Sequence, residues 1–395
     1  MSTDVIHALF DSVQFASVTA RNRVVMAPMV TNFAGPKGEV TDSQVRYYTT
    51  RARGGVGTIV VEASSISQDV RISARQLGSY HDGFISGLAR LARAIKEAGA
   101  LALLQLCHGG PKMLHSAGVH TESVSSVGLR KGDVPHTLTA AELRKVRREF
   151  VVAALNAHKA GFDGVELHAA HLYLLSASIS PFTNRRTDEY GGSILNRARL
   201  TREIVQDIKS ALDADYPVWV RINACETLDP GLSLQEGQQI ASIMAEAGAD
   251  AIHVSAYTLP INKKITDLVT VHVGAIPVNE TEPGPFLDYA AAIKKVVDVP
   301  VIAVGKLDDP VLASKAVVDG KCDLIALARQ LLCDPFWAQK VKSSRSEEII
   351  HCNYCMTCHT AQQRGERVRC AQNENLYGEP IYKLTQPNTN CHGID

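Results

Sequence analysis

Residues 143–167 read LRKVRREFVVAALNAHKAGFDGVEL, and their order decides the fold. Leu143, Val146, Phe150, Ala153, Ala154 and Ala157 recur at three- and four-residue intervals, which puts them on one face of a helix over Leu143–Lys159. Gly161 stands where that helix closes, because glycine enters the left-handed conformation of a C-terminal cap at little cost. The short apolar run Gly164–Leu167 follows at once and suits a strand buried on both faces. The same punctuation recurs in Glu97-Ala98-Gly99-Ala100 and Glu246-Ala247-Gly248-Ala249.

Outward from this unit, apolar runs occur at Val24–Met26, Thr58–Val61, Leu101–Leu106, Gly164–Leu167, Val218–Ile222, Ala251–Val254, Val301–Val304 and Leu324–Leu327. Helical patterns lie between them at Ser86–Glu97, Leu143–Lys159, Arg197–Leu212, Leu234–Glu246 and Pro310–Asp319. Strand, helix, glycine, strand repeated in this way is β/α alternation, and eight runs complete a (β/α)8 TIM barrel. An open doubly wound sheet is the alternative, disfavoured because no Gly-x-Gly-x-x-Gly follows the first run. Residues 1–22 are expected to plug the barrel floor. The barrel is expected over 1–345 and a small Cys-rich extension over 346–395.

The 395 residues are 45% apolar and 21% charged, so the chain can bury a large core and disorder is not expected. Lys plus Arg and Asp plus Glu number 41 each. A net charge of zero removes the electrostatic argument for nucleic acid or an anionic membrane as partner. No apolar run nears the ~20 residues of a spanning helix. Asp4 and Asp11, without a basic segment before an apolar one, argue against a secretory signal, and the expected compartment is the cytoplasm.

In a barrel the residues that follow each strand sit at the C-terminal mouth, where active sites form. The fourth run leads into His168, His171 and Tyr173. Two imidazoles can steady a developing enolate oxygen and a phenol can donate a proton to carbon; the histidines could instead be two of three zinc ligands, or core residues. Gln105 is an amide within a barrel strand, and a flat heteroaromatic ring such as a flavin pyrimidine offers it a donor and an acceptor. Arg221 in the fifth run needs an anion or a reduced flavin edge; a salt bridge explains it equally well. Gly305 and Arg329 follow the seventh and eighth runs, where barrels commonly hold phosphate. The tail carries Cys352-x2-Cys355-x2-Cys358-x11-Cys370. That spacing suits a [4Fe–4S] cluster, with zinc or free thiols as alternatives and His351 and His359 as further candidate ligands. Cys107, Cys225, Cys322 and Cys333 are expected to be small core residues, and Cys391 is unassigned.

Met26-Ala27-Pro28-Met29, Val61-Glu62-Ala63, Gln105-Leu106-Cys107-His108-Gly109-Gly110, His168-x-x-His171-x-Tyr173 and the run Ser180–Ser193 (SPFTNRRTDEYGGS) together resemble the old yellow enzyme family of flavin oxidoreductases, over about residues 5–345. The tail with Cys370-Ala371-Gln372-Asn373 resembles the branch of 2,4-dienoyl-CoA reductase and trimethylamine dehydrogenase, which carry a [4Fe–4S] cluster there. The resemblance implies FMN at the barrel mouth. Pro28, Met29, Ala63, Gln105 and Arg221 would line its ring, and Gly305, Lys306, Ala328 and Arg329 its phosphate. His168 and His171 would bind the substrate's activating oxygen, and Tyr173 would be the proton donor. The implied reaction carries hydride from NAD(P)H through FMN to an activated C=C bond.

Val30 departs from the family, where Thr, or a flavin-linking Cys, commonly stands. The chain also stops soon after the cysteines, whereas large relatives continue into further nucleotide-handling domains. The expected function is an FMN ene-reductase. The alternatives are an amine dehydrogenase or N-demethylase, and an electron-transfer subunit fed by a partner flavoprotein. Recognition of an alkylammonium wants an aromatic cage, and the two Trp, Trp219 and Trp337, offer little for one. A coenzyme A ester would want basic residues at the mouth, with Lys112, Lys263 and Lys264 as candidates. A small-molecule substrate and a homo-oligomer complete the expected associations.

Overall fold

The computed structural model describes residues 6–114, 120–130, 132–258 and 276–377. Lys263, Lys264, Cys391 and the end of the tail lie outside the described residues. Each of the eight runs forms a strand: β1 Val24–Met26, β2 Thr58–Ser65, β3 Leu101–Cys107, β4 Gly164–Ala169, β5 Val218–Glu226, β6 Ala251–Tyr257, β7 Val301–Val304 and β8 Leu324–Leu327. All pair in parallel, and β8 closes onto β1 with Ala326 opposite Val25. The (β/α)8 barrel expected from the sequence is the fold.

Around it lie α1 Asp42–Arg53, α2 Ile85–Glu97, α3 Ala140–Lys159, α4 Arg199–Ala211, α5 Leu234–Glu246, α6 Leu287–Lys294 and α7 Pro310–Val318. The stretch that opened the sequence argument shows why. The Thr139 hydroxyl accepts the Glu142 backbone N–H at 3.2 Å, and the Glu142 carboxylate accepts the Thr139 N–H at 2.7 Å, a reciprocal cap that starts α3. The apolar stripe of α3 is buried, and Gly161 beyond its end has φ +81°. Gly99 and Gly248 repeat this at φ +88° and +103°. Sequence periodicity missed α1, whose DSQVRYYTTRAR is mostly polar, and α6. It also joined Arg197 to α4; the chain breaks at Ala198, with the Arg197 guanidinium bonded to the carbonyls of Ile179 and Gly192.

At the barrel floor, Val13–Phe15 and Val18–Ala20 form an antiparallel hairpin, and the Phe15 ring lies 4.9 Å from that of Trp219. At the opposite end β2, β5 and β6 outrun the apolar pattern, through Ser64, Ser65, Asn223, Glu226 and Ser255. Those polar strand ends form the mouth. The described part of the tail runs along the barrel: Val368 N–H donates to Thr31 O at 2.8 Å, and the Asn32 amide donates to Glu366 O at 2.8 Å.

Candidate active site

A cavity of about 640 Å3 opens at the C-terminal mouth, and all twelve barrel residues singled out from the sequence line it. Pro28, Met29, Ala63 and Gln105 come from the ends of β1 to β3. His168, His171, Tyr173 and Arg221 come from β4, its loop and β5, and Gly305, Lys306, Ala328 and Arg329 follow β7 and β8.

The histidine wall is compact. The His168 and His171 rings stand edge to face with centroids 5.1 Å apart, and the His168 and Tyr173 centroids are 4.8 Å apart. The loop reaches this geometry through left-handed backbone at His171 (φ +65°) and Leu172 (φ +59°). It is held there by Asn223, whose amide oxygen accepts the His171 N–H at 3.2 Å. His171 Nε2 meets Ser255 Oγ at 2.8 Å, and His168 Nδ1 has no hydrogen-bond partner among the described residues. Burial, reinforced by the positive charge of Arg221, holds both histidines well below their ordinary pKa. They are neutral imidazoles across the working range. Burial pushes the Tyr173 phenol up, so it stays protonated.

At the other end Gly305 has φ +110°, and a Cβ there would come within 3.0 Å of the Phe286 ring. Arg329 donates to Pro277 O at 2.6 Å and lies 4.8 Å from the Tyr354 ring centroid. The Lys306 ammonium is turned toward the carbonyls of Asn279 (3.0 Å) and Thr281. Any contact from Lys306 to a phosphate in this arrangement falls to its backbone.

Three features fit a flavin mononucleotide. The buried Arg221 Nε has no hydrogen-bond partner among the described residues. Gln105 reaches the cavity with one amide hydrogen already committed to Glu166. The side-chain-free Gly305 and the Arg329 cation close the far end.

Sequence reading passed over several buried groups. Glu166 and His253 lie inside the barrel with their side chains fully shielded and bonded to each other at 2.7 Å. Their signal was strand alternation, since Glu166 shares a face with His168, and His253 with Ser255. Lys112 is 4% exposed and lines the cavity, so it is no ordinary surface lysine. Its Nζ lies 5.4 Å and 5.1 Å from the Tyr173 and Tyr257 ring centroids, and burial with Arg130 nearby lowers its pKa to about 7. Trp219 and Trp337 do not line the cavity.

Cys352, Cys355, Cys358 and Cys370 border a second, smaller cavity, whose wall includes Arg329 and Tyr354 from the first. Among the described residues no three His, Cys, Asp or Glu are gathered as ligands of one metal ion. In this arrangement neither the zinc readings of His168/His171 and of the tail nor the [4Fe–4S] reading of Cys352, Cys355, Cys358 and Cys370 has an assembled ligand set among the described residues. Cys333, expected as plain core, donates a hydrogen bond to Cys370 and holds that thiol below its ordinary pKa.

Residues 8–348 match the NADH:flavin oxidoreductase / NADH oxidase family. The NADH oxidase of Thermoanaerobacter brockii is 36% identical over 386 residues, covering 95% of this chain and 57% of that protein. The NADPH dehydrogenase of Bacillus subtilis (strain 168) is 34% identical, covering 86% of this chain and 96% of that protein. The solved 2-naphthoyl-CoA reductase superposes with a TM-score of 0.86 at 26% identity, covering 94% of this chain and 58% of that one. The chain thus spans just over half the length of two of these three and nearly all of the other. Fold, cavity and sequence agree: the chain belongs to the NADH:flavin oxidoreductase / NADH oxidase family.

Proposed function

We propose that this FMN- and NAD(P)H-using oxidoreductase is an ene-reductase, delivering hydride to the β-carbon of an activated C=C bond in an enone or enoyl compound. The carrying observation is the His168/His171/Tyr173 wall: two neutral imidazoles beside a phenol that stays protonated, buried together on one cavity. The chemistry FMN supplies when bound is hydride uptake from the nicotinamide and hydride release to the alkene. Pro28, Met29, Ala63, Gln105 and Arg221 would hold its ring, and Gly305, Lys306, Ala328 and Arg329 its phosphate. His168 and His171 bind the activating oxygen, and as neutral donors in a dry site they stabilise the negative charge that grows there. Tyr173 passes its phenolic proton to the α-carbon.

For the tail, the reading is a [4Fe–4S] cluster on Cys352, Cys355, Cys358 and Cys370. The support is the spacing Cys352-x2-Cys355-x2-Cys358-x11-Cys370, which suits such a cluster, together with the gathering of all four cysteines at the border of one cavity. Arg329, Tyr354 and Cys358 line both cavities, so a cluster held there would lie beside the flavin site and could take electrons from a partner flavoprotein. Residues 1–345 then carry the flavin and 346–395 the cluster.

The test uses protein purified without oxygen. It should be yellow, bleach with NAD(P)H, and regain colour with cyclohexenone; iron and sulfide analysis reports the cluster. Failure of every activated alkene to restore the colour refutes the ene-reductase. Bleaching by a methylated amine without nicotinamide would support the amine dehydrogenase instead.

A further inference from the structure

We infer that Glu166 and His253 are positioning residues that fix which end of the Gln105 amide faces the flavin cavity. The inference rests on FMN being the ligand. Glu166 projects inward from β4, two residues before His168, and is fully buried. One carboxylate oxygen accepts from Gln105 Nε2 at 2.7 Å, and the other accepts from His253 Nδ1 at 2.7 Å. An ionised carboxylate only accepts hydrogen bonds. The amide end that meets it must therefore be the NH2, which leaves the Gln105 carbonyl oxygen for the cavity. Without such a neighbour an amide turns over and offers either end.

His253 completes the arrangement. It pairs in register with Arg221 across β5 and β6, and Arg221 pairs with His168 across β4 and β5. Burial and Arg221 lower its pKa, with Glu166 opposing, so the ring is neutral and its one N–H lies on Nδ1, toward Glu166. The two carboxylate oxygens are thus occupied from opposite sides, and the negative charge of Glu166 faces the buried Arg221 guanidinium. Gln105 is held as an acceptor on β3 and Arg221 as a charged donor on β5, with β4 and its Glu166 between them, and both reach the cavity. A ring edge with an N–H beside carbonyl oxygens, as in the flavin pyrimidine, matches that pair; an edge whose N–H is blocked does not.

The experiment titrates flavin-stripped protein with FMN and with N3-methyl-FMN, following flavin fluorescence. Wild type should bind N3-methyl-FMN about 10- to 100-fold more weakly, the effect of one buried acceptor left unmade. In Glu166→Gln the neighbour can donate or accept, Gln105 is free to turn, and the discrimination should fall to within about threefold. His253→Asn keeps a donor toward Glu166 and should retain most of it, which serves as a control should Glu166→Gln fold poorly. Failure of wild type to bind FMN removes the flavin reading itself. Tight FMN binding with equal affinity for N3-methyl-FMN overturns the positioning role alone, as does an equal loss for both flavins in Glu166→Gln.

Discussion

Replacing Tyr173 with Phe removes one oxygen and keeps the ring, with its 4.8 Å approach to His168. A general acid contributes about 10²- to 10⁴-fold, and the structure indicates where in that range the loss falls and why it depends on pH. Lys112 Nζ lies 5.4 Å from the Tyr173 ring centroid and titrates near 7. Around it stand Arg130, His168, His171, His359 and the phenols of Tyr173 and Tyr257. Below pH 7 its ammonium should serve as an acid within the same cavity and take over part of the proton delivery. Above pH 7 it is neutral, and the surrogate is lost by about tenfold per unit. Tyr173 itself, raised by burial, stays protonated across this window. The Tyr173→Phe deficit in the alkene half-reaction should be about 10²-fold at pH 6 and approach 10⁴-fold at pH 9, whereas flavin reduction by NAD(P)H is unaffected. Adding Lys112→Met should make the deficit large at both pH values. Stopped-flow reoxidation of reduced enzyme by cyclohexenone measures it. A deficit equal at pH 6 and pH 9, or below about tenfold at both, refutes the assignment.

Burial raises Glu62 from 4.5 to about 7 despite hydrogen bonds from Thr31 and Gln44, so the native state holds a proton the unfolded chain has released. Stability should fall as pH climbs from 4.5 through 7 by about 3 kcal/mol from this group, visible as a pH slope in the urea midpoint of wild type that Glu62→Gln lacks. Gly305→Ala forces a side chain onto φ +110° and against Phe286, which costs more than ~1–2 kcal/mol, and should weaken FMN binding at least tenfold in a fluorescence titration with the far-UV spectrum unchanged. Truncation after Arg345 removes Val368 and Glu366 from Thr31 and Asn32 and should release FMN on gel filtration; retention of stoichiometric flavin would show that the tail does not hold the cavity.

The barrel was legible because its strands are apolar on both faces, a signal that recurs eight times, and because five helical patterns lie between them, three closed by Ala-Gly. The site was legible where a residue type violates that pattern openly: an Arg within Val220-Arg221-Ile222, an amide within Leu104-Gln105-Leu106. It was illegible where the violation is self-contained. Glu166 and His253 satisfy each other across the barrel, a contact between residues 87 positions apart, and neither run announces it. Lys112 was named as a candidate basic residue at the mouth, but its burial was not legible; the rings of Tyr173 and Tyr257 beside it show that the loop after β3 folds inward. The helix α1 escaped because its buried face includes Gln44, Thr50 and Arg51, which no apolar periodicity marks.

Composition separates the tail from the barrel, yet the cavity takes walls from both. His359, Gln362, Arg364, Gly365 and Val368 line it opposite strand-end residues, and Cys358 borders both the flavin cavity and the cysteine cavity. Two buried polar groups make that seam. Arg51, fully buried in α1, bonds to the carbonyls of Leu331 and Leu376, joining the segment after β8 to the end of the described tail. Glu62 gathers Thr31, whose carbonyl in turn receives Val368. A buried polar group with no water is expensive unless its bonds are complete, so each group destabilises any arrangement in which the tail has moved away. Specificity of docking, more than strength, is what such groups contribute. It keeps a segment with few aliphatic residues seated where Arg329, Tyr354 and Cys358 wall both the cysteine cavity and the flavin site.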